Sequence, residues 1–144
     1  MPSPEITFIA RDVPDAFRQK GVLRKWLQHV AAQHGTRIDA LTFVLMDDPS
    51  LLHYNRSYLQ HDDLTDVITF PVENNNGVAG DVLISYDRVR ENARIYKTTA
   101  QGELHRVMVH GLLHLLGHKD GSPAQKKAIR AEEDRWLKHL ERSA

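Results

Sequence analysis

Apolar residues recur along this chain with two periods, and the switches between them mark the elements. "EITFIA" (Glu5 to Ala10) alternates and is rich in β-formers, which predicts a strand. Val22, Leu23, Trp26, Leu27, Val30 and Ala31 share one helical face, and Gly35 is the expected stop. "LTFVLMDD" (Leu41 to Asp48) reads as a second strand. Asp48-Pro49 reads as an N-cap with proline in the first turn, opening a helix to about Tyr58. "TDVITFPV" (Thr65 to Val72) and "GDVLISY" (Gly80 to Tyr86) flank the turn cluster "ENNNG" and predict a hairpin. Asp87 starts a charged helix to about Lys97, and a long helix covers Ala100 to Leu116, closed by Gly117. Ser122-Pro123 opens a last helix, packing through Ala128, Ile129, Trp136, Leu137 and Leu140. The order β-α-β-α-β-β-α-α-α predicts an α+β domain, with a four-stranded mixed sheet on one side and about five helices on the other.

A length of 144 residues suits one compact domain over 1–144, and 41% hydrophobic residues suffice for a core. Lys+Arg and Asp+Glu number 19 each, so no net charge drives the chain toward nucleic acid or lipid, though a local basic groove is compatible with this. Cysteine is absent, which removes disulfides and thiolate metal sites and fits a reducing compartment. No signal segment, membrane span or repeat is legible, so the expectation is a cytoplasmic protein. Nine histidines are many for this length, and His105, His110, His114 and His118 crowd one segment.

That segment, "HGLLHLLGHKD", carries the chemistry. His110 and His114 are four apart, so they stack on one helical face and can share a metal ion. Both sit in an apolar run, where unpartnered imidazoles are costly. Gly117 can adopt a left-handed conformation and turn the chain back. Counted from His110, Gly117 and Asp120 fall where the metzincin pattern has its glycine and its third ligand. In a straight helix His118 would lie about 12 Å along the axis from His110, too far for one tetrahedral ion. The expected metal set is therefore His110, His114 and Asp120, acting in catalysis through bound water. His118 is left beside it, facing substrate or solvent. His105 lies about 140° around the helix from His110, which argues against a ligand role.

The segment resembles the signature of the YbeY family, approximately H-G-x-L-H-L-x-G-x-D-H. "NRSYLQHDDLTDVITFP" (Asn55 to Pro71) and "GDVLIS" (Gly80 to Ser85) are similar to two further blocks of that family, in the same order. Two positions depart from it. Asp120 stands at the family's third histidine, and Leu59 stands where an arginine implicated in activity is frequent. Arg56 and His61 are near in sequence, but spacing places neither as its replacement. The resemblance implies a small α/β sandwich, one Zn(2+) per chain and endoribonuclease activity on single-stranded RNA. It further implies maturation of the 16S ribosomal RNA 3′ end, ribosome quality control and association with the small ribosomal subunit. No membrane and no nucleotide cofactor are implied.

Two other readings stay open: a ribosome-assembly binding factor whose metal is mainly structural, and a metal-dependent hydrolase of a non-RNA substrate. A peptidase of the H-E-x-x-H type needs a glutamate beside the first histidine, and that position is Gly111. Either metal-bound water or the RNA 2′-hydroxyl can serve as nucleophile in phosphodiester cleavage. Thr65 and Asp66 could line the substrate groove, steady a ligand histidine, or form only a strand-entry turn. Arg88, Arg90, Arg94 and Lys97, and likewise Lys126, Lys127 and Arg130, read as solvated helix faces. No aromatic RNA platform is legible.

Overall fold

Four strands form one sheet in the order β1-β2-β4-β3: β1 (Glu5–Ala10), β2 (Ile38–Met46), β3 (Val67–Val72) and β4 (Val78–Ser85). β1 and β4 each pair parallel with β2, and β3 pairs antiparallel with β4. Among the described residues five helices accompany the sheet: α1 (Lys20–Gln33), α2 (Asp48–Leu59), α3 (Tyr86–Ile95), α4 (Ala100–Leu115) and α5 (Pro123–Ser143). The computed structural model describes residues 4–60 and 65–143. His61 and the middle of the Asn55–Pro71 block lie outside the described residues. Among the described residues, no helix is long and apolar enough to cross a membrane.

The α+β class, the mixed sheet and the element order match the reading of the sequence. One feature of the layering does not. Helices cover both faces of the sheet. Leu41, Phe43 and Leu45 of β2 and Val82 and Ile84 of β4 join the main core with α1, α4 and α5. Val44, Met46, Ile68 and Leu83 point the other way, against Leu51 of α2. The unbroken apolar runs "FVLM" and "VLI" follow from this, because strands buried on both faces need not alternate.

Several boundaries also differ from expectation. The N-cap of α2 is Asp47, whose side chain accepts from the Ser50 amide; Asp48 already lies in the first turn. Ser85 caps α3 in the same way, accepting from the Arg88 amide. Both hydroxyl and carboxylate caps satisfy donors that the first helical turn leaves open. Ala128 is exposed, while Glu133 is buried on the inner stripe of α5 with Ile129, Trp136 and Leu140. α1 is anchored to α5 where the indole N–H of Trp26 donates to the Trp136 carbonyl at 2.8 Å.

α4 sets the site's position. Its buried residues Leu104, Val107, Met108, Leu112 and Leu113 hold it in the core. Gly111 faces the sheet, where an added Cβ would stand 2.6 Å from Val82 Cγ1. The helix thus lies closer to β3 and β4 than a side chain there would permit.

Candidate metal centre

α4 ends in a Schellman motif. The His118 amide donates to the Leu113 carbonyl at 2.9 Å, and the Gly117 amide to that of His114 at 3.0 Å. Gly117 has φ +102°, a conformation that disfavours any side chain. Beyond it the chain reverses, and the two polar residues part company. His118 turns toward the end of α1, its Nε2 lying 2.9 Å from that of His34. Asp120 comes back over α4.

The Nε2 atoms of His110 and His114 stand 3.0 Å apart. Asp120 Oδ2 lies 3.5 Å from the first and 3.2 Å from the second. A tetrahedral ion bound at about 2.0–2.1 Å needs donors roughly 3.3 Å apart. The three donors already form a triangle of that size, so the group fits a single metal ion. The two imidazoles are largely covered, whereas the Asp120 side chain is 43% exposed, leaving the triangle open on one side.

Behind this group stands a residue the sequence reading passed over. Glu133 Oε2 lies 2.6 Å from His110 Nδ1. The buried carboxylate can only accept here, so Nδ1 carries the proton and Nε2 presents its lone pair toward Asp120 and His114. Burial by itself pulls the His110 pKa down. The hydrogen bond and charge of Glu133, with Asp66 and Asp120, outweigh it and raise the value above the ordinary one. Arg106 in turn neutralises the acids on α5, donating to Glu133 at 2.9 Å and to Asp134 at 2.7 Å. The signal was legible: a glutamate four residues after Ile129 and three before Trp136 falls on the apolar stripe, where a charge requires a partner.

A cleft of about 300 Å³ opens beside the triad, lined among others by Asp66, His110, Asp120, Lys126 and Arg130. Asp66 is half-buried, and its carboxyl is raised above the usual range by burial, against the opposing pull of His110. Its carbonyl also accepts from the Ser85 amide at 2.9 Å, so the residue serves the strand entry as well. Thr65 donates locally to the Val67 carbonyl at 3.4 Å. Of the basic residues, Lys126 and Arg130 border the cleft, while Arg88 is paired with Asp48 and Arg94 with Glu91. Leu59 ends α2 and is exposed.

A further feature lies on the α2 face of the sheet. Tyr54, Tyr58 and Phe70 form an aromatic cluster, with Arg11 donating to the Tyr54 hydroxyl at 3.1 Å. The sequence reading, which found no aromatic RNA platform, did not bring together these three rings from α2 and β3. Only Tyr54 and Tyr58, four apart, announced the cluster in the sequence.

Comparison with known proteins accords with this geometry. The family model described as Endoribonuclease YbeY matches residues 7–141. A Cytophaga hutchinsonii protein named Endoribonuclease YbeY is 41% identical over 138 residues, covering 95% of this chain and 96% of the relative. One of the same name from Parabacteroides distasonis is 36% identical over 132 residues, covering 92% and 93%. The solution structure of TM1509 from Thermotoga maritima shares the fold, with a TM-score of 0.64 at 22% identity over 94% of this chain and 89% of that one. With a family match over nearly its whole length and close relatives matched end to end, this chain belongs to the YbeY endoribonuclease family.

Proposed function

We propose that the chain is a zinc-dependent endoribonuclease that cleaves single-stranded RNA during ribosomal RNA maturation. The carrying observation is the His110–His114–Asp120 triangle, sized for one metal ion and backed by Glu133. Two imidazoles and a carboxylate favour zinc among the common divalent ions. A bound ion of this class supplies Lewis-acid charge and lowers the pKa of water. The chain's own residues do the rest. Glu133 orients His110 and sets its tautomer. Lys126 and Arg130 place positive charge along the cleft, where phosphates of an RNA strand can lie. Asp66 lines the same cleft and offers a carboxyl that can exchange a proton with the reacting oxygens.

Peptidase chemistry is disfavoured by packing as well as by sequence. The position of the peptidase glutamate is Gly111, and any side chain there would strike Val82. The names of the relatives support RNA as the substrate class. On the resemblance of the three sequence blocks we further propose that the activity serves the 16S 3′ end and ribosome quality control, in the cytoplasm, with the small ribosomal subunit as partner.

Replacing His114 by Ala tests this directly. Pure variant protein should lose cleavage of a structured ribosomal RNA fragment while its circular dichroism is unchanged. Undiminished cleavage by the folded variant would sink the proposal. The exposed Leu59, in place of a frequent family arginine, favours a second reading as a binding factor whose metal is structural. That reading requires the folded His114→Ala protein to keep its association with small subunits and the wild type to show no cleavage.

A further inference from the structure

Two imidazoles outside the triad also face one another. His34 is the C-cap residue of α1, and His118 follows the Gly117 turn. Their Nε2 atoms are 2.9 Å apart, with the rings at 74°. His34 Nδ1 lies 2.8 Å from the Val30 carbonyl. A carbonyl only accepts, so Nδ1 is the protonated nitrogen and Nε2 of the neutral ring offers its lone pair. Glu132 of α5 supplies a carboxylate. One ligand atom from each of the three residues lies within 4.8 Å of the other two. All three are half-buried, and they come from three separate segments of the chain.

We propose that His34, His118 and Glu132 form a second site for a divalent transition metal of the zinc class. The site repeats the plan of the first: paired Nε2 atoms about 3 Å apart, a carboxylate, and one Nδ1 committed to an oxygen acceptor. The imidazole nitrogens stand 2.9 Å apart and the Glu132 oxygen lies within 4.8 Å of both, near enough to close on an ion whose tetrahedral donors stand roughly 3.3 Å apart. Imidazole nitrogens select zinc, nickel or cobalt over calcium and magnesium, which prefer oxygen. The ion's place in the fold gives its role. It joins the end of α1 and the middle of α5 to the turn that carries Asp120, two residues beyond His118. A metal here pins that turn without touching substrate. The inference stands independently of the activity proposed above.

The test is a zinc count. The full chain is stripped with a chelator, equilibrated at buffered free zinc and analysed for zinc per chain. Wild type should hold two ions. His34→Ala and Glu132→Ala should each hold one, and so should the His110→Ala/His114→Ala double variant. Zinc should also raise the melting temperature of wild type more than that of His34→Ala, each measured against its own melting in chelator. A single ion in wild type that survives both His34→Ala and Glu132→Ala overturns the proposal. The imidazoles would then be joined only by an N–H···N hydrogen bond. Two ions retained by either variant overturn it equally, since the second ion would sit elsewhere. Where either variant does not fold, His34→Gln or Glu132→Gln takes its place in the same count.

Discussion

Glu133 braces one histidine of the proposed metal group without contributing a donor to it. It meets His110 from the core side, and carboxylates in that position typically strengthen metal binding by about 10–100-fold. Glu133→Gln should therefore weaken zinc affinity by about that factor in a chelator competition, with the fold kept; unchanged affinity would show that packing alone holds the ring. Asp66 belongs to the same scale. If it moves a proton, Asp66→Asn should lower kcat by about 10²–10⁴-fold with zinc content intact. Loss of zinc in that variant would assign it to ligand support instead. His105 shows an effect on stability alone. It touches the Trp26 ring edge-on, and burial holds its pKa below the ordinary histidine value. The unfolded chain thus takes up this proton first as pH falls through about 6.5. Stability present above that pH is lost as pH drops toward the lowered folded value. Urea unfolding of the zinc-free protein between pH 7 and 5 should show a shallower acid-side loss for His105→Gln than for wild type.

Among the elements, α4 and the turn after it decide whether the donors meet. Gly111 lets the helix approach β4, and Gly117 lets the chain reverse. Gly111→Ala should cost about 1–3 kcal/mol through overpacking against Val82. Gly117 has open space around its Cβ position, so substitution there acts through the backbone. Gly117→Ala should cost about 1–3 kcal/mol and weaken zinc binding, because strain at φ +102° is relieved by moving the segment that carries Asp120. Thermal unfolding with and without chelator separates the two effects. Gly111→Ala should lower both melting temperatures alike, and Gly117→Ala should also narrow the gap between them.

For the whole molecule, a metal held as proposed would be coupled to the fold, since the donors come from α4 and the segment beyond it and are braced by α5. A ligand present at 100 times its Kd adds about 2.7 kcal/mol to stability by mass action. The spacing of His110, His114 and Gly117 along the chain determined that one helical face would hold two imidazoles and that the helix would stop just beyond them. The hydrophobic periods determined the element order, because burial of one face is a local, periodic demand on each segment. The rest needed the packed chain. The Gly117 spacing already favoured Asp120 over His118, but how closely Asp120 approaches the pair depends on where the reversed segment lands, where His118 meets His34 of α1 and Glu132 of α5. Glu133, Lys126 and Arg130 reach the cleft only because α5 crosses α4, and His34 meets His118 only because α1 ends there. A local pattern specifies which face a residue occupies. Which face meets which is decided by the competition of all the elements for a common core.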